Sequence, residues 1–97
     1  MFQITSNAYN CLAQKLLDSI NPTTIFSGAI EIFIDEVEIR FIATIIPFYT
    51  REYYSEGVVE VLHDIVPVWW ELHTTTQDGE VMNDFDFETF KYLTCQQ

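Results

Sequence analysis

The chain predicts an α+β fold, read from one run of apolar residues at helical spacing, a later switch to a period of two, and a phase reversal inside that alternation. The expected order is α-β-β-β-α: a three-stranded antiparallel meander with an N-terminal helix and a short C-terminal helix, in two layers. Ala8, Leu12, Leu16 and Ile20, with Ala13 and Leu17 beside them, form the first helical stripe. Ser6 or Asn7 is expected to cap it, and Pro22 to stop it by disfavouring helical geometry at Asn21.

From Ala29 the apolar residues alternate as Ile30, Ile32 and Ile34, and after Asp35-Glu36 they continue as Val37, Ile39 and Phe41. A two-residue turn at Asp35 and Glu36 accounts for the reversal. It places Ile34 opposite Val37, Ile32 opposite Ile39, Ile30 opposite Phe41, and on the other face Glu31 opposite Arg40. Asp-Glu lacks the glycine that tight hairpins favour, so a longer or bulged loop is the alternative.

The break at Ser55-Glu56-Gly57 leads into a β-branched and aromatic third strand. A turn at Glu56 and Gly57 sets Phe41 opposite Leu72, Ala43 opposite Trp70 and Ile45 opposite Val68. Pro47 and Pro67 cannot donate to a ladder, so a bulge is expected near them. Gln77-Asp78-Gly79-Glu80 reads as a turn, with Val81 and Met82 as a short extension. Asp86 then caps a helix containing Phe90 and Leu93. Helix one is expected against the sheet face holding Ile32, Ile39 and Trp70.

Alternation places Phe33, Ile42, Ile46, Phe48 and Trp69 on the opposite face, which is too apolar to be left in water. Either the C-terminal helix covers it or another chain does. Trp69 and Trp70 are adjacent on one strand, so they point to opposite faces and one of them reports on this choice. Across the same face Glu31, Arg40 and His73 align, with Glu71 beside His73. A carboxylate can orient a histidine for acid/base work, but no nucleophile joins these residues, and a surface charge ladder is the expectation.

The chain carries 15 Asp and Glu against 4 Lys and Arg in 97 residues, a net charge of −11, yet is 48% hydrophobic. Such a chain folds, and its negative charge lies on a folded surface. Phosphate recognition needs cations, so direct nucleic-acid binding is excluded, and anionic membranes are disfavoured. The longest apolar stretch, Phe41 to Tyr49, is too short to span a bilayer. The start has neither the basic nor the continuous apolar part of a secretory leader, so a cytoplasmic location is expected. The length suits a single domain over residues 1–97. Cys11 and Cys95 lack metal-ligand or CxxC spacing and read as free thiols.

Asp78, Glu80, Asp84, Asp86 and Glu88 form an acidic stretch without a cation among them, a candidate recognition surface. It is not a calcium loop: Phe85 and Phe87 interrupt the acids, Thr89 stands where glycine is needed, and Cys95 stands where the closing glutamate belongs. No phosphate loop, zinc ligand set or nucleophile elbow is present, and neither catalysis nor a cofactor or metal is expected.

The segments VVEVLHDIVPVWWEL and DGEVMNDFDFETFKYL resemble a pattern found in small proteins of bacteriophages, prophages and bacterial mobile elements. That resemblance implies a small accessory factor acting by binding. The leading expectation is a non-enzymatic interaction protein, a homodimer, whose aromatic patch and acidic surface dock another protein. One alternative is a nucleic-acid mimic presenting Glu31, Glu38, Glu52, Glu56, Glu60 and the acidic stretch Asp78 to Glu88 to a basic cleft. Another is a small enzyme built on Glu31, Arg40, His73 and Glu71.

Overall fold

The computed structural model describes residues 1–95; the last two residues of the single-domain span lie outside the described residues. Helix α1 covers Ser6–Ser19, strands β1, β2 and β3 cover Phe26–Ile34, Val37–Tyr54 and Gly57–Thr76, β4 covers Gly79–Val81, and helix α2 covers Phe87–Cys95. The sheet has four antiparallel strands in the order β1-β2-β3-β4, against the three expected. The short extension after the Gln77-Asp78 turn pairs as a strand of its own, Val81 with Thr74 and Glu80 with Thr75.

Thr5, rather than Ser6 or Asn7, caps α1: its Oγ1 accepts the Ala8 N–H at 3.1 Å. The helix buries Ala8, Tyr9, Leu12, Ala13 and Leu16. Tyr9 joins this stripe because its ring stacks on Phe85 while its hydroxyl accepts the Asp86 N–H at 3.0 Å.

The first hairpin has the expected register, with Ile34 facing Val37, Ile32 facing Ile39, and Ile30 facing Phe41. Its turn stays tight without glycine, because Asp35 and Glu36 both take left-handed backbone angles, φ 51° and 65°. That conformation matches the strand twist but crowds a Cβ, and the glutamate has less local compensation than the aspartate. Glu36→Gly is therefore expected to stabilise the fold by about 0.5–1 kcal/mol, raising the melting temperature by about 4 °C. An unchanged or lower melting temperature would show that the Glu36 side chain itself supports the turn.

The second hairpin turns at Ser55-Glu56 and not at Glu56-Gly57, and Gly57 follows it at φ +140°, an angle that side-chain-bearing residues rarely adopt. Phe41 still faces Leu72 and Ala43 still faces Trp70, because β3 carries two extra residues relative to β2. One lies between the partners of Thr44 and Ile45, next to Pro67, and the other between those of Phe48 and Tyr49. The first changes the partner of Ile45 from Val68 to Pro67. A proline cannot supply a ladder N–H, and a bulge lets the strand pass it without losing pairing on either side.

One face of β2 is the floor of the core: Val37, Ile39, Phe41, Ala43 and Ile45 are all buried. Helix α1 lies over β1, α2 lies over β3, and the two helices touch. Phe41 meets Phe85, Phe87 and Phe90 at ring separations of 5.8, 6.4 and 5.1 Å, and Trp70 meets Phe85 and Phe87 at 5.4 and 5.7 Å. The C-terminal helix therefore packs on the same face as α1. Of the two alternatives for the other face, cover by the C-terminal helix is overturned.

Candidate interaction surface

Because both helices occupy one face, the opposite face of the sheet has no cover among the described residues. Register fixes what it displays: Ile42, Thr44, Ile46 and Phe48 along β2, with Trp69 beside Thr44 and Val66 beside Ile46 on β3. Trp69 is 46% exposed and Phe48 48%, whereas Ile42 and Ile46 are partly shielded by these neighbours. Phe33, 73% exposed, lies nearer the first turn, above a shallow depression shared with Glu36, Glu38, Thr75 and Gln77. Trp70, itself 38% exposed, meets Phe85 and Phe87 on the helix side, and Trp69 lies on the open face.

Across this face runs a charged ladder. Arg40 Nε lies 3.2 Å from Glu31 Oε1, and Arg40 is directly opposite His73 in the register. His73 places Nε2 3.0 Å from Glu71 Oε2 and Nδ1 3.1 Å from Glu80 Oε2. Each ring nitrogen thus faces a carboxylate, an arrangement that favours the protonated ring. The hydrogen bond to Glu71 first, and that to Glu80 second, raise its pKa above 6.5. Through its bond to Glu80 the ring ties β3 to β4.

A folded pKa above the unfolded value means that the stabilisation is fully present below pH 6.5 and is lost as pH rises through the raised folded value. The group is exposed, so the change is small. NMR titration is expected to show His73 titrating above the unperturbed range, with Glu71→Gln lowering its pKa more than Glu80→Gln. If both substitutions leave the titration unmoved, the ladder does not exist in solution.

Beyond Ile45 of β2 the sheet narrows to two strands. β1 pairs no further than Ile45, and β4 reaches only Thr74–Thr76, so Tyr49 to Leu62 form a two-stranded ribbon, with Leu62 at its base still packed against the core. It carries Tyr53 at 75% and Tyr54 at 54% exposure, with Val58, Val59 and Val61 also exposed. Arg51 and Glu60 form an ion pair across it at 3.5 Å. A two-stranded ribbon without packing is marginal in water. The alternation of the sequence marks this segment as strand, but nothing local in it tells that no third strand or helix accompanies it.

The acidic stretch is not one surface. Asp78 lies at the β3–β4 turn, close to Asp35 and Glu36 of the first turn, and Glu80 holds His73. Asp84 accepts the Ile4 N–H at 2.7 Å, and Asp86 accepts both the N–H and the hydroxyl of Thr89 at the start of α2. The Thr89 side chain first, then its backbone, hold the Asp86 carboxyl below its ordinary pKa. Glu88 occupies the first turn of α2. The carboxylates named for mimicry are likewise divided: Glu31 and Glu60 are in ion pairs, Glu38 and Glu52 share the open face, and Glu56 is at the ribbon tip.

Among the described residues no group of three or more His, Cys, Asp or Glu side chains is placed to hold a metal ion, and Cys11 and Cys95 are free thiols. Among the described residues no helix is long and apolar enough to cross a membrane. No protein-family model, curated protein or solved structure matches this chain.

Proposed function

We propose that this is a non-enzymatic interaction protein that works by surface contact with other proteins, through the open face of its sheet. The observation that carries this reading is the placement of both helices on one face, which leaves Ile42, Ile46, Phe48, Val66 and Trp69 as a continuous apolar patch. Aromatic side chains on a charge-depleted centre are the residues that anchor protein interfaces. The resemblance to small phage and mobile-element proteins accords with an accessory role of this kind.

The acidity supplies steering. Three of the 4 Lys and Arg residues already have an acidic neighbour, Arg40 with Glu31, Arg51 with Glu60 and Lys91 with Asp64. The field of the remaining carboxylates favours encounter with basic proteins and discourages acidic ones.

The immobilised protein, exposed to a bacterial lysate at low salt, is expected to retain a basic protein. Truncation at Trp69→Ala should remove it, and raising ionic strength to about 0.5 M should slow its capture, because exposed charges are then screened. Retention that is unchanged by both interventions would locate binding elsewhere and defeat the reading.

A further inference from the structure

We infer that the open face is an interface with a second copy of this chain, packed sheet to sheet so that the bare ribbon of each copy lies over the body of the other. The inference rests on the reading of that face as a contact surface and names its occupant.

Area is the first reason. The three-stranded part of the face is nine residues long, Phe26–Ile34 against 37–45. At about 3.3 Å per residue and about 4.8 Å between strands it measures about 30 by 14 Å, and the ribbon beyond adds about 30 by 10 Å. The total, about 700 Å² in projection, approaches the roughly 800 Å² that each partner contributes to a stable interface of standard size. The body alone falls well short. Only an arrangement that uses the ribbon as well supplies the area, and the overall extent of 55 Å by 23 Å by 19 Å shows how far that ribbon projects.

Charge is the second reason, since two chains of net charge −11 would ordinarily repel. On this face Glu31 is paired with Arg40 and Glu71 is hydrogen-bonded to His73, while Glu38 and Glu52 have no cation beside them among the described residues. The centre between Ile42 and Phe48 is uncharged. The rest of the arrangement is self-complementary. Arg40 and Glu52 lie on the open face of β2, each six residues from Ile46 and on opposite sides of it. A two-fold axis in the plane between the faces, crossing β2 at Ile46, runs the two ribbons in opposite directions. It carries Glu52 of each copy to the end where the partner's Arg40 and the partner's His73 stand. Trp69 then covers the root of the partner's ribbon, and both ribbons gain the packing that a free two-stranded ribbon lacks. The dimer has four layers, helix, sheet, sheet, helix, and an isologous interface.

The test is sedimentation of the purified full chain from about 1 to about 100 μM, in low salt and in about 0.5 M salt. A dimer is expected, and it should tighten with salt, because screening relieves the repulsion of two acidic bodies while leaving apolar contact intact. Trp69→Ala should weaken it by about 30-fold or more, as an interface hot spot does. Trp69 makes none of the core's aromatic contacts, and unchanged circular dichroism and melting would show that the variant folds. Glu52→Arg should weaken the dimer and Arg40→Glu combined with Glu52→Arg should restore it, a rescue that only the antiparallel two-fold register produces.

A protein that remains monomeric at about 100 μM in high salt overturns the inference, as does a dimer indifferent to Trp69→Ala. A monomer whose capture of a basic protein is still abolished by Trp69→Ala would remove the second copy while leaving the open face as a contact surface. Loss of neither property in that variant would remove both.

Discussion

Phe41→Ala is expected to destabilise the protein by about 3–5 kcal/mol, enough to lower the melting temperature by about 20 °C or to leave the chain partly unfolded at ambient temperature. Phe41 is fully buried in the middle of β2 and meets three phenylalanines, with Phe90 nearest at 5.1 Å. Truncation leaves a cavity between sheet and helices that cannot collapse, since Phe85 and Phe87 are already held by Trp70. Phe33→Ala is the matched control: Phe33 is on the uncovered face, so its loss should change monomer stability by less than about 0.5 kcal/mol. Urea titration of both variants measures the contrast. Equal losses would mean that the two faces are not distinguished as described.

Asp84→Ala should cost about 1–3 kcal/mol, the penalty for leaving a largely buried backbone donor without a partner. The carboxylate takes the Ile4 N–H at 2.7 Å, and around it Phe2 N–H donates to Met82 O at 2.8 Å while Asp84 N–H donates to Phe2 O at 3.2 Å. These bonds form a parallel bridge between the first residues of the chain and the segment after β4. Ile4 is a member of the core cluster, so releasing it exposes apolar surface as well. Hydrogen exchange should show the Ile4 amide losing protection in the variant, while amides of the first hairpin keep theirs. If Ile4 remains protected, water or a neighbour replaces the carboxylate and the predicted penalty disappears.

That bridge illustrates where reading the sequence ends. Asp84 belongs by composition to an acidic run, and an isolated run of acids reads as a solvated or recognition surface. Its structural task depends on a donor eighty residues away in the chain, and no local pattern encodes that pairing. Tyr9 is similar: an aromatic residue flanking an apolar stripe becomes core only because Phe85 and the Asp86 N–H arrive beside it. The bulges of β3 are partly legible, since Pro47 and Pro67 announce an interruption. Their number, and the displacement of the turn to Ser55-Glu56, follow from the whole ladder seeking continuous pairing.

By itself the sequence determined the first helix, the register of the first hairpin, the partition of the sheet residues into two apolar faces, and the alignment of Glu31, Arg40, His73 and Glu71. Each of these follows from side-chain direction, which is fixed by the period of the backbone and needs only near neighbours. The tertiary structure alone decided which face the C-terminal helix covers. Anchored by the Phe2–Asn83 bridge and by the Tyr9 hydroxyl, the segment before α2 delivers Phe85, Phe87 and Phe90 onto Phe41 and Trp70. Two faces of similar apolarity look alike to a periodicity argument. They are separated only by the free energy of one complete packing, and that packing leaves Trp69 and the β2–β3 ribbon uncovered.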